Sequence, residues 1–259
     1  MNHIIEKLKE IESGEAGILI YSNLNREIEC SYQKDLCIPL ASAAKMVIGY
    51  CVARLVEENL YKWTDEIKAI SFNPKEDSKE LYPHFQNRNS LSLEDAVEVM
   101  IACHDSYIAN HIVEFCGGWE NVNQRIKSRF SKINVTENPR DLKNNGEMNQ
   151  LLEVLKLIFE GYETRPEIWN PIINGLVRQR GEIEGIPHYH LNHMTGGLDN
   201  VVVDIGIMGE FSKKPFLYVL GAKELPNRFS EQHADEKIMD VLRILYEEYC
   251  NRVVPVEGS

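Results

Sequence analysis

The period of the hydrophobic pattern changes twice along the chain. Residues 3–12 have apolar side chains at helical spacing, and residues 17–22 and 27–32 then predict the two strands of a hairpin. A middle stretch shows helical periods only, at residues 45–60, 93–103, 107–115, 120–129, 147–159 and 171–177. Strand patterns return near the end, at residues 188–196, 200–210 and 215–222, before an amphipathic helix over residues 234–250.

This order of elements predicts how the chain is organised. Sheets of two or three strands are marginal alone, so the strands of both ends are expected to form one antiparallel five-stranded sheet flanked by the terminal helices. The predicted fold class is α/β (α+β), with a single domain over residues 1–259. Residues 1–40 and 187–259 would form an α/β lobe, and residues 41–186 an all-helical lobe. A cleft between two lobes is a usual place for a small-molecule site.

Composition and charge narrow the classes of partner. The chain is 43% hydrophobic and 26% charged, which is typical of a soluble globular protein. A net charge of -12 disfavours binding to nucleic acid or to an anionic membrane. The first residues carry frequent charges and no apolar signal-peptide core, so we expect a cytoplasmic protein. The six cysteines form no C-x-x-C pair and are expected to be reduced core residues.

A candidate nucleophile lies where the first helical period of the middle stretch begins. Ser42 is followed three residues later by Lys45, one helical turn along the same face, and apolar neighbours would lower the lysine pKa by burying it. A neutral lysine could then act as a general base for the serine. The spacing alone is weak evidence, because Ser31 and Lys34 share it and Ser42 could be a simple helix cap.

Two later segments strengthen this interpretation. His104, Asp105 and Ser106 lie between two predicted helices, where Asp105 and the following Asn110 could anchor the turn. In the first late strand, the sequence His-Met-Thr-Gly-Gly offers the Thr195 hydroxyl and two glycines that allow close approach of a ligand, Gly196 and Gly197.

The order of these segments resembles the class A β-lactamases and related penicillin-binding proteins, whose motifs are S-x-x-K, S-D-N and K-T-G. The resemblance covers nearly the whole chain and extends to Val177-Arg178-Gln179, Ile186-Pro187 and Asp204-Ile205-Gly206-Ile207. It implies that Ser42 forms an acyl-enzyme with Lys45 as base. The backbone N–H groups of Ser42 and Gly197 would form the oxyanion hole.

Three departures from the family pattern stand out. His104 replaces the serine of the second motif and could relay a proton if its pKa is near neutrality, while Ser106 replaces the asparagine. Met194 replaces the lysine of the third motif, which removes a positive charge. His193 and Arg178 are the candidates to replace this charge, but strand alternation places His193 on the opposite face from Met194. The E-x-x-L-N loop of class A enzymes is missing, and Glu137 is the nearest substitute for its glutamate.

Other signals favour structural roles. His188 and His190 are predicted on one strand face and His193 on the other, so no metal site is expected, and no cofactor is implied. The three tryptophans are interpreted as packing residues.

Three hypotheses therefore stand. The first is a serine hydrolase acting on a small molecule, namely a β-lactam, peptide or ester. The second is a catalytically impaired protein that binds a ligand or partner without turnover. The third is a hydrolase of a cytoplasmic substrate that uses His104 as its acid and base. The oligomeric state is not predicted.

Overall fold

One sheet joins the two ends of the chain, as the computed structural model shows for the residues it describes, 1–226, 228 and 233–253. Its five antiparallel strands lie in the order β2-β1-β10-β9-β8. They are β1 (Glu15–Ser22), β2 (Glu27–Tyr32), β8 (Leu191–Leu198), β9 (Val201–Met208) and β10 (Phe216–Lys223). Both faces of the central strands are buried, which explains why β9 and β10 are apolar almost without interruption. The predicted α/β (α+β) architecture is confirmed.

The two terminal helices cover one face of this sheet. They are α1 (Asn2–Lys9) and α9 (His233–Val253), and the side chains of Ile4 and Leu8 pack in one cluster with those of Val241 and Leu245. The opposite face packs against helices of the middle stretch. The described helices of this stretch are α2 (Ala44–Glu57), α3 (Ser78–Leu81), α4 (Leu93–Ala102), α5 (Ser106–Phe115), α6 (Gly118–Lys127), α7 (Met148–Thr164) and α8 (Pro166–Arg178). Helices α7 and α8 make the main contacts with the sheet. None of the described helices is long and apolar enough to cross a bilayer.

The prediction that the middle stretch contains only helices was wrong in detail. It also contains short strands. Two of them pair with each other, and two others form a three-stranded sheet with the strand just before Ser42. They are β3 (Cys37–Pro39), β4 (Glu66–Lys68), β5 (Ser90–Ser92), β6 (Ile133–Asn134) and β7 (Asn145–Glu147). Strands of two or three residues are too short to show a period of two, so the hydrophobic pattern does not reveal them.

Two predicted boundaries also differ from the structure. Helix α8 begins at Pro166 rather than Pro171, because proline fits the first helical position, where no N–H donor is needed. Residues His188–His190 form a 3₁₀ turn, and β8 starts only at Leu191. The expectation that His188 and His190 share a strand face was therefore wrong.

Candidate active site

Ser42 and Lys45 lie together where the sheet meets the helical part of the chain. Ser42 belongs to a 3₁₀ turn, Ala41–Ala43, that leads into α2, and Lys45 is in the first turn of that helix. The Lys45 Nζ donates a hydrogen bond to the Ser42 Oγ at 3.2 Å. Only 3% of the lysine side chain is exposed, whereas Ser42 is half-buried. The predicted pair therefore has the contact that a base and a nucleophile require.

The buried environment changes the protonation of Lys45. Burial lowers its pKa from the ordinary value to about 8, while the negative charges of Glu76 and Asp105 act in the opposite direction. A neutral amine is consequently available at mildly alkaline pH, as a lysine general base requires.

The segment of residues 104–106, which corresponds to the second motif, lies near Lys45 in and just after the loop between α4 and α5. His104 takes a left-handed backbone conformation, with φ of 54°, which is uncommon for a residue with a side chain. Burial and then the charges of Lys45 and His193 lower its pKa to about 4. The expectation of a pKa near neutrality was therefore wrong. His104 is a neutral imidazole at pH 7 and can move a proton only by accepting at one ring nitrogen and donating from the other.

Asp105 anchors this loop. Its carboxylate caps α5 by accepting hydrogen bonds from the backbone N–H groups of Tyr107 and Ile108, at 2.9 and 3.0 Å. Burial raises its pKa, against the effect of these hydrogen bonds. For Asn110, the described residues provide no partner to its buried Oδ1, so the hydrogen bonds that anchor the turn come from Asp105.

A loop that the sequence pattern did not single out completes this side of the site. The backbone N–H of Asn73 donates to Asp105 at 3.0 Å, and its side-chain amide donates to the Ser106 Oγ at 3.0 Å. The same loop brings the Glu76 carboxylate close enough to affect Lys45 electrostatically. Asn-Pro at residues 73–74 marks a turn in the sequence, but nothing local to it indicates that this turn reaches Ser106.

Strand β8 forms the other side of the candidate site. Thr195 is half-buried, Gly196 is buried, and Gly197 is exposed at the edge of the cleft. A Cβ atom on Gly196 would lie only 2.2 Å from the Leu40 carbonyl oxygen and 3.1 Å from the Ala43 amide nitrogen. The strand therefore packs directly on the turn that holds Ser42, and only glycine permits this approach.

Met194 does not restore the missing positive charge, and neither do its neighbours. Its side chain is fully buried, and its Sδ accepts a hydrogen bond from the Gln179 Nε2 at 3.1 Å. His193 lies on the other face, where its Nδ1 contacts the Asp204 carboxylate at 2.9 Å. Burial opposes the charged form of His193, but the charge and hydrogen bond of Asp204 outweigh it and raise the pKa. Arg178 forms an ion pair with Glu98.

Glu137 lies at the active site, although the E-x-x-L-N pattern is missing. It lines a small cavity together with Lys45, Ser106 and the indole of Trp119. Its loop is held near Ser42 by the buried Asn144, whose side-chain amide donates to the Ala41 carbonyl at 3.0 Å and to Pro139 at 3.1 Å. Trp119, interpreted from the sequence as a packing residue, also contributes to the cavity wall.

The packing of β8 on the Ser42 turn yields a mutational prediction. We expect Gly196→Ala to slow acylation of Ser42 by about 100-fold or more, because the new methyl group forces the strand away from the turn and an error of about 1 Å is enough for such a loss. Release of p-nitrophenol from a p-nitrophenyl ester measures the rate of acylation, and intact-protein mass detects the acyl adduct.

Gly197→Ala is the matched control for this substitution, because alanine keeps the backbone N–H that the oxyanion hole would use. Its Cβ would approach only the Arg228 guanidinium, at 3.0 Å, and the end of a long side chain can shift. Thermal unfolding verifies that both variants are folded. Equal labelling rates for the two variants would show that the close approach at Gly196 has no functional role.

The sheet, the helices and the serine–lysine pair between them are the features of serine β-lactamases and penicillin-binding proteins. Residues 3–249 match the model of the Beta-lactamase enzyme family, Beta-lactamase2, and the chain belongs to this family. No curated protein sequence matches the chain.

Solved structures share the fold at low sequence identity. PBP-A is 18% identical, with 97% of each chain covered and a TM-score of 0.77. A β-lactamase from Chitinophaga pinensis DSM 2588 is 15% identical over 96% of this chain and 98% of that one, with a TM-score of 0.80. A β-lactamase from Sphaerobacter thermophilus DSM 20745 is 20% identical over 98% of both chains, with a TM-score of 0.73.

Proposed function

We propose that the protein is a serine hydrolase that forms an acyl-enzyme on Ser42 with a β-lactam, amide or ester substrate. The observation that carries this proposal is the buried Lys45 Nζ, 3.2 Å from the Ser42 Oγ and with a pKa lowered to about 8. A variant of PBP-A has been solved as an acyl-enzyme complex with penicillin G, which supports the same chemistry for this fold.

In the first half-reaction, neutral Lys45 accepts the Ser42 hydroxyl proton while the Oγ bonds to the substrate carbonyl carbon. The electron pair of the carbonyl bond moves to its oxygen, and the backbone N–H groups of Ser42 and Gly197 stabilise this oxyanion by about 3–4 kcal/mol each. The bond to the leaving nitrogen or oxygen then breaks. Its proton comes from Lys45, relayed through the neutral imidazole of His104.

In the second half-reaction, water attacks the acyl carbon and the ester bond to the Ser42 Oγ breaks. The Glu137 carboxylate accepts the proton of this water, and this proton passes through Lys45 to the departing Oγ, which returns Glu137 and Lys45 to their starting states. Because the Glu137 side chain is exposed, it would hold the water less rigidly than a buried carboxylate does. We therefore expect deacylation to be slower than acylation, so that the acyl-enzyme accumulates.

A second candidate function is ligand binding without turnover. It is favoured by Met194, which leaves the third motif without the charge that attracts a penicillin carboxylate. Under this alternative, Ser42 would be present but unreactive toward acylating agents.

Covalent labelling distinguishes the two functions. The protein is treated separately with an uncharged fluorophosphonate and with penicillin G, and the modified residue is located by peptide mass mapping. A hydrolase should gain one adduct on Ser42 with the fluorophosphonate. Labelling elsewhere, or none with either reagent, would favour the binding function.

A further inference from the structure

The charges around the Ser42–Lys45 pair bear on the substrate. Positive charge is weak or offset there: Met194 is neutral, His104 has a pKa of about 4, and His193, whose charge acts on His104, is paired with the Asp204 carboxylate. Lys45 is almost fully buried and, with a pKa of about 8, is still mostly protonated at pH 7, but the negative charges of Glu76 and Asp105 act on it and offset its own. A substrate carboxylate would therefore meet weak attraction at this site.

The guanidinium that lies beside Gly197 in β8 is bound to a carboxylate. Arg228 lies beside Gly197, where its Nη1 donates to the Leu198 carbonyl at 2.6 Å. Its Nε and Nη2 donate to the two carboxylate oxygens of Asp235, at 2.9 and 2.7 Å. The negative charge of Asp235 offsets that of Arg228, so the pair presents little net charge to the cleft.

Carboxylates, in contrast, approach from two loops. Glu137 lines the cavity with Lys45 and Ser106. Glu76 lies on the loop of Asn73, which is hydrogen-bonded to Ser106, and its negative charge raises the pKa of Lys45. Burial raises the pKa of Glu76, and the negative charges of Asp105 and Asp77 raise it further against the attraction of Lys45. The chain as a whole has a net charge of -12.

We propose that the active-site cleft selects esters or amides with a positively charged group near the reacting carbonyl, and discriminates against those with a carboxylate there. This inference rests on the proposed function. Glu76 and Glu137 would attract the cationic group of the substrate, since a cleft lined by one sign of charge concentrates ligands of the opposite sign. The natural substrate would then be an ammonium-bearing ester or amide.

Three p-nitrophenyl esters of equal acyl-chain length test this proposal. Their acyl chains end in trimethylammonium, in tert-butyl or in carboxylate, and the rate of Ser42 acylation is measured for each at low ionic strength. We expect the cationic ester to react about 10- to 100-fold faster than the anionic one, with the neutral ester between them. The ratio should shrink in 1 M salt, where the Debye length is about 3 Å.

Variants locate the charges responsible. Glu76→Gln and Glu137→Gln should each reduce the ratio of cationic to anionic rates, whereas a change in base function alone would alter both rates together. Glu6→Gln removes the same charge from an exposed position on α1 and should leave the ratio unchanged.

Equal rates for the three esters, or a faster anionic ester, would overturn the proposal while Ser42 remains reactive. Failure of the uncharged fluorophosphonate to label Ser42 would instead contradict the proposed hydrolase.

Discussion

Replacing Ser42 with alanine is expected to abolish covalent labelling and to lower hydrolysis of reactive esters by about 10⁴- to 10⁶-fold. Among the described residues, the Ser42 Oγ is the hydroxyl that is hydrogen-bonded to the buried Nζ of Lys45, so we expect no other hydroxyl to be activated in its place. Intact-protein mass after treatment with a fluorophosphonate measures labelling, and release of p-nitrophenol measures turnover. The variant should remain folded, because removing one half-buried hydroxyl leaves the surrounding packing intact.

The chain itself offers a matched control for this variant. Ser31 has a lysine three residues later, as Ser42 does, but both Ser31 and Lys34 are exposed at the end of β2. Ser31→Ala should therefore label and react like the unmodified protein. An adduct that persists in Ser42→Ala would place the nucleophile elsewhere and contradict the assignment.

Replacing Lys45 with methionine should slow acylation by about 10²- to 10⁴-fold, the usual contribution of a general base. Methionine preserves most of the volume of the side chain and removes a buried amine, so little stability should be lost. The labelling rate of Ser42 and the midpoint of denaturant unfolding measure the two effects separately. Lys34→Met is the control at the exposed site of identical spacing.

The same lysine predicts the dependence of acylation on pH. The reactive form is the neutral amine, so the rate should rise about tenfold per pH unit below pH 8 and level off above it. The groups facing Lys45 from other elements are Glu76, His104, Asp105 and Glu137. Because the charge of Glu76 raises the lysine pKa, Glu76→Gln should move the midpoint to lower pH. A flat profile, or a shift to higher pH, would argue against Lys45 as the base.

Residues of the site that belong to local motifs could be found from the sequence. Ser42 and Lys45 are one helical turn apart, and the cap formed by Asp105 is a contact between near neighbours in the chain. The glycine pair in β8 also marks a close approach of two backbones, which Gly196 makes with Leu40 and Ala43. Each of these signals depends on backbone geometry within a few residues.

The remaining parts of the site depend on contacts between distant segments. Asn73 lies more than 30 positions from Ser106 in the chain, and no periodicity predicts their hydrogen bond. Glu137 lacks the motif that would have identified it, yet Asn144 holds its loop beside Ser42 through the Ala41 carbonyl. Where a loop has no repeating pattern, its sequence does not indicate which distant segment it contacts.

The sequence by itself determined the architecture, because five strands with buried faces at the two ends of a chain can be stabilised only by pairing with one another. It also indicated that Ser42 and Lys45 lie side by side, because their relative positions follow from helical geometry. The tertiary structure alone decided the electrostatics. A side chain's pKa depends on burial and on charges brought from other segments. For this reason His104, with a pKa of about 4, is neutral at pH 7, and the pKa of Lys45 is lowered to about 8.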